Sequence, residues 1–104
     1  MPEAFGPGAL PADLVGRFVD ALDGTDGWTA GDDTWARIEE IIERARVSAL
    51  IGDVEAFEWT VRDMEIVGGR GAAAAGTGRQ RAQPDRIAQS KRTLKQTLKP
   101  AQAR

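Results

Sequence analysis

Residues 29–69 read TAGDDTWARIEEIIERARVSALIGDVEAFEWTVRDMEIVGG, and the fold turns on how that stretch divides. Trp35, Ile38, Ile42, Ala45 and Ala49 recur three and four residues apart, and Val54, Phe57, Val61 and Met64 repeat the spacing. At that period each set lies along one face of a helix. Between the sets stands Ile51-Gly52-Asp53. Glycine adopts the left-handed conformation that ends a helix, and aspartate accepts the free N–H groups that begin the next. The stretch therefore predicts two antiparallel helices whose apolar seams face each other across a tight corner.

Upstream, Thr29 is expected to cap the second helix with Asp32 three residues on, and Trp28 to pack back over that start. Pro11 suits the first position of an earlier helix running to Asp23, with Asp13 in its first turn. Leu14, Phe18 and Leu22 share a face of it with Val15 and Val19. Gly16 weakens that helix by about 1 kcal/mol relative to alanine, or lets another helix approach closely. Gly24-Thr25-Asp26-Gly27 reads as a turn, and residues 1–9 as a disordered Pro/Gly leader. Downstream, the third helix is expected from Val54 to Ile66 or Val67, stopped by Gly68-Gly69. Residues 70–83 read as a flexible Gly/Ala/Arg linker. Pro84-Asp85 opens, and Pro100 closes, a basic amphipathic helix over 84–99. Ile87, Leu94 and Leu98 share one of its faces, interrupted by Lys91, and alone it is marginal in water. The expected fold class is all-α: a small three-helix body over 10–69 built on a helical hairpin, then the linker and the basic C-terminal helix.

The charge is unevenly divided. Residues 1–69 carry −10 and residues 70–104 carry +8, which gives the net −2. A basic tail on an acidic body predicts that the tail touches acidic surface, its own body included. The chain holds no cysteine, histidine or tyrosine. That excludes disulfides, thiolate metal sites and histidine-activated nucleophiles. Glu39, Glu40 and Glu43 have no partner acid nearby in sequence and read as a solvated face. The glycines of 71–78 lack the Lys-Ser or Lys-Thr of a phosphate loop and follow no strand. No catalytic, cofactor or metal site is expected. The N-terminus lacks a secretion signal and no apolar run approaches the roughly 20 residues that span a bilayer, so a soluble, cytoplasmic protein is expected.

Four motifs stand in order: Trp28-Thr29, Trp35-Ala36-Arg37-Ile38, Gly52-Asp53-Val54-Glu55-Ala56 and Asp63-Met64-Glu65-Ile66-Val67-Gly68. Their order and spacing resemble the CATRA-associated small proteins of actinobacteria and similar bacteria, in which a Gly-Asp corner is followed by a third helix ending in a Leu-Glu-Leu-like triplet. Here that triplet is Met64-Glu65-Ile66. The family's terminal helix is more apolar than this one, where Lys91 and Gln96 intervene. The resemblance covers roughly residues 10–98. It implies a non-catalytic accessory partner of a caspase-like, TPR-associated assembly in a bacterial conflict system.

Three roles follow as expectations. A protein-interaction module, with self-association as a variant, would present Ile41, Leu50 and Trp59, beside the main seams, as its surface. Ile87, Lys91, Leu94 and Leu98 would be the contacts of the tail helix. A nucleic-acid-binding, antitoxin-like regulator would instead grip phosphates through the basic tail, from Arg79 and Arg81 through Arg86, Lys91, Arg92, Lys95 and Lys99. Against that reading stand the absence of tail aromatics for stacking and the acidic body. A linker exposing Arg70, Arg79 and Arg81 would offer cleavage points to a peptidase.

Overall fold

The computed structural model describes residues 9–70 and 80–102. Four helices, α1 (Ala12–Asp23), α2 (Asp32–Ile51), α3 (Val54–Arg70) and α4 (Asp85–Gln102), are joined by one short ribbon of β1 (Thr29–Gly31) and β2 (Gln80–Ala82). Among the described residues the fold is all-α apart from that ribbon. Residues 1–8 of the expected 1–9 leader and residues 71–79 of the expected 70–83 linker lie outside the described residues.

The corner forms as the sequence predicts. Gly52 has φ 72° and ψ 24°, the left-handed region that a Cβ disfavours. Its N–H bonds the carbonyl of Ala49 and the N–H of Asp53 bonds that of Ser48, so two open carbonyls of α2 find donors. Asp53 Oδ1 accepts the N–H of Ala56 at 3.1 Å, capping α3. Pro11, expected inside α1, is its extended cap residue.

The seams of α2 and α3 face each other. Trp35, Ile38, Ile42, Ala45 and Ala49 are buried, as are Phe57, Val61 and Met64. α1 packs on α3, with the rings of Phe18 and Phe57 5.4 Å apart. α4 packs on both α1 and α2 and closes the bundle. Ile87, Leu94 and Leu98 are fully buried and belong to the same core as Phe18 and Trp35. The expected tail helix is thus the fourth wall of the body.

Lys91 is the interruption in that apolar face, and it is only 4% exposed. Its ammonium donates to the carbonyl of Leu22 at 3.1 Å, the hydroxyl of Thr25 at 2.5 Å and the carboxylate of Asp26 at 2.8 Å. The last turn of α1 has no basic residue of its own. A cation from α4 therefore meets the negative end of α1 and satisfies a carbonyl there. Lys95 reaches Asp23 beside it.

Several boundaries differ from the sequence reading. Thr29 does not cap α2: Thr29–Gly31 pairs antiparallel with Gln80–Ala82, and Gly31 precedes the helix without a side-chain cap. Its backbone finds partners about fifty residues away, which no local pattern announces. Gly68 and Gly69 do not stop α3, which runs to Arg70. Pro100 does not close α4, which continues to Gln102; the missing proline N–H removes one helical bond near the end. Residues 80–83 are not bare linker, because β2 lies within them. Gly16 admits no close neighbour, since a Cβ there would meet nothing within 4 Å.

Two stability measurements follow. Replacing Lys91 by methionine keeps the stem but removes the ammonium, so Lys91→Met lowers the free energy of unfolding in denaturant by about 1–3 kcal/mol. Exposed Lys99→Met changes it by no more than about 0.5 kcal/mol. Gly16→Ala raises stability by about 0.5–1 kcal/mol, because the helix gains propensity and nothing is displaced.

Candidate functional site: an apolar trough beside the corner

Each helix of the hairpin carries a second, shorter stripe beside its seam, running from buried Ser48 and Thr60 out to exposed Val47, Ile51 and Trp59. On α2 it is Arg44, Val47, Ser48 and Ile51; on α3 it is Ala56, Trp59, Thr60 and Asp63. Because the helices are antiparallel, the stripes lie side by side and enclose a trough of about 430 Å³. Val47, Ile51, Ala56 and Trp59 line it with Ser48 and Thr60, and the ion-paired Glu43 and Arg44 complete the lining. Both hydroxyls turn back into their own helices. Ser48 donates to the carbonyls of Arg44 and Ala45, and Thr60 to that of Phe57 at 2.6 Å. Their hydrogen-bonding protons are thus already engaged, and the trough presents mainly carbon.

One end is bridged from helix to helix by Arg44 and Asp63 at 3.0 Å. At the other lies the corner, where Leu50 and Ile51 are exposed. Trp59 is 54% exposed, with the Arg62 guanidinium 5.2 Å from its ring centroid. A second depression, between α2 and α4, is lined mostly by charged and polar side chains, among them Glu43, Arg46, Arg86 and Gln89.

The expected interface residues separate. Leu50 and Trp59 stand on the surface, whereas Ile41 is fully buried in the core between seam residues Ile38 and Ile42. Ile41 is a core residue, not a surface one: its position also points inward because α2 is covered by both α3 and α4. Val47, Ile51 and Ala56 were not singled out from the sequence. The i,i+4 pair Val47–Ile51 next to the Ala45–Ala49 seam was their available signal.

The tail contacts Ile87, Lys91, Leu94 and Leu98 all face the body. Four bases of the basic region are engaged by body carboxylates: Arg81 with Asp32, Arg86 with Glu39, Lys91 with Asp26 and Lys95 with Asp23. The acidic surface that the basic region touches is its own. Arg81 is also no bare cleavage point. It sits in β2, and its carbonyl accepts the indole N–H of buried Trp35 at 3.0 Å. Arg70 ends α3, and Arg79 lies outside the described residues.

Among the described residues, no group of three or more carboxylates gathers as a metal site. No described helix is long and apolar enough to cross a membrane. The carboxyls of Glu65 and Glu43 lie below the usual range. The cause is the hydrogen bond from Arg17 to Glu65 and from Arg46 to Glu43, which outweighs partial desolvation. These are structural ion pairs on exposed surface.

The fold and the trough together define a small helical protein with an open apolar corner and a basic helix three of whose cations pair with its own body. The chain belongs to the family of CATRA-associated small proteins (CATASP), whose model matches residues 17–102. That match includes α4 and most of α1, the parts farthest in sequence from the corner. No curated protein and no solved structure matches the chain.

The Arg17–Glu65 pair sets one pH dependence. A carboxyl whose folded pKa is depressed stabilises the fold above its ordinary value, and that contribution fades as pH falls through the lowered one. Urea unfolding across the acid range should therefore show a smaller acid-induced loss for Glu65→Gln than for the parent chain. The difference should shrink in high salt, since both groups are exposed.

Proposed function

We propose that this protein is a non-catalytic accessory subunit that docks, through the corner of its α2–α3 hairpin, onto a protein of a caspase-like CATRA conflict system. Membership of the family supports association with such a system. The observation that carries the docking surface is that four of the five exposed large apolar side chains among the described residues, Val47, Leu50, Ile51 and Trp59, gather at one corner, with Ile66 alone at the far end of α3. Contiguous exposed apolar side chains of this kind mark contact sites, and tryptophan is the residue most often found at their energetic centre. In this reading the protein supplies surface, and any bond-breaking chemistry belongs to its partner. The nucleic-acid reading loses its main support, because four of the bases it relied on already pair with Asp23, Asp26, Asp32 and Glu39.

The test is co-purification of the tagged full chain with a CATRA-domain protein of the same organism. The wild-type chain is expected to hold its partner at micromolar concentration. Trp59→Ala is expected to weaken the complex by roughly tenfold or more, which corresponds to ~2 kcal/mol at a contact centre. Trp59 is exposed, so the variant should fold as the parent does. Failure of the wild-type chain to capture that protein refutes the proposal.

A further inference from the structure

The charges around the trough say what kind of segment it takes. Between residues 40 and 63 the hairpin carries six carboxylates and three arginines. Each arginine is taken by one acid: Arg44 by Asp63, Arg46 by Glu43 and Arg62 by Glu58. That leaves Glu40, Asp53 and Glu55 outside any of these ion pairs. Asp53 also accepts the N–H of Ala56 as the cap of α3, a contact that brings no countercharge. Asp53 and Glu55 are exposed and stand beside the lining residues Ile51 and Ala56 along the chain, so the corner end of the trough's rim is acidic. The basic helix α4 packs on α1 and α2, where Arg86, Lys91 and Lys95 are committed to Glu39, Asp26 and Asp23.

We infer that the α2–α3 trough receives a partner helix with apolar anchors on one face and lysine or arginine flanking them. This rests on the docking role proposed above and adds the chemistry of the occupant. A trough between two antiparallel helices accepts side chains spaced three and four apart on a third helix. Val47, Ile51 and Trp59 supply its walls, and the inward-turned Ser48 and Thr60 spend no free donor on the guest. The acidic rim then selects among apolar helices by charge. It also argues against a second copy of this chain as the occupant, because two such faces would bring like charges together around the contact.

Two synthetic amphipathic helical peptides provide the probe. Both carry the same leucine anchors, one flanked by lysines and the other by glutamates. Binding to the full chain is read by titration calorimetry, and by the tryptophan emission of the parent less that of Trp59→Phe. The lysine-flanked peptide is expected to bind with a blue shift assigned to Trp59, to weaken as salt rises, and to lose at least roughly tenfold in affinity against Val47→Asp. The glutamate-flanked peptide is expected to bind roughly tenfold more weakly, or worse. Circular dichroism confirms that Val47→Asp folds; if it does not, Leu50→Asp at the corner replaces it. Equal binding of the two peptides overturns the inference, as does no binding of either. Sedimentation of the chain alone as a dimer that dissociates on Val47→Asp also overturns it, in favour of a second copy. Each of these results leaves the co-purification outcome unaffected, so the docking role and the nature of the docked segment fail separately.

Discussion

Closure of the bundle by α4 is the constraint on which the rest depends. Three helices on a body of this size leave the inner faces of α1 and α2 without a cover, and a small core has little margin to lose. Ile87, Leu94 and Leu98 supply that cover. Lys91 makes the packing specific, because its ammonium must meet the carbonyl end of α1 and the side chains of Thr25 and Asp26. A purely apolar face would allow α4 to slide along its groove. A buried cation with three defined partners fixes the register, since any shift would strand it. The charge asymmetry of the sequence has the same outcome: an acidic body and a basic helix are halves of one electrostatic fit.

The hairpin was legible in the sequence because its information is local. Period, glycine and aspartate all lie within a few residues of the structure they specify. The fate of Lys91 was not, since its partners are some sixty-five residues away and a lone lysine in an apolar stripe reads as a defect. The ribbon escaped for a related reason. Three-residue strands carry no alternation to detect, and Thr29 satisfies the local rule for a helix cap while its backbone pairs with Ala82. At the candidate site, Trp59 and Leu50 fell outside the seams by simple helical geometry and do face solvent. Ile41 obeyed the same geometry but is covered, because α2 has neighbours on two sides and its buried face is wider than one seam. The width of a buried face depends on how many neighbours a helix has, which a single helix cannot report.

The trough and the core therefore differ in kind although both are lined by apolar residues of α2 and α3. In the core, the apolar residues of four helices meet. In the trough, two helices meet and a third position stands open, with Asp53 and Glu55 exposed at its corner end. The distribution of ion pairs separates the two: the basic helix is drawn to the α1 and α2 side of the bundle and leaves the α2–α3 side acidic.

The ribbon has a consequence for the chain as a covalent object. It ties residues 29–31 to 80–82, and Trp35 donates to the Arg81 backbone just behind that tie. Beyond it, α4 is held by its own core residues and by Lys91. Hydrolysis of a single peptide bond between Arg70 and Gln80 would therefore give two polypeptides that remain associated as a non-covalent pair. Scission alone would be silent in the assembled molecule, and fragment exchange would require the whole fold to open.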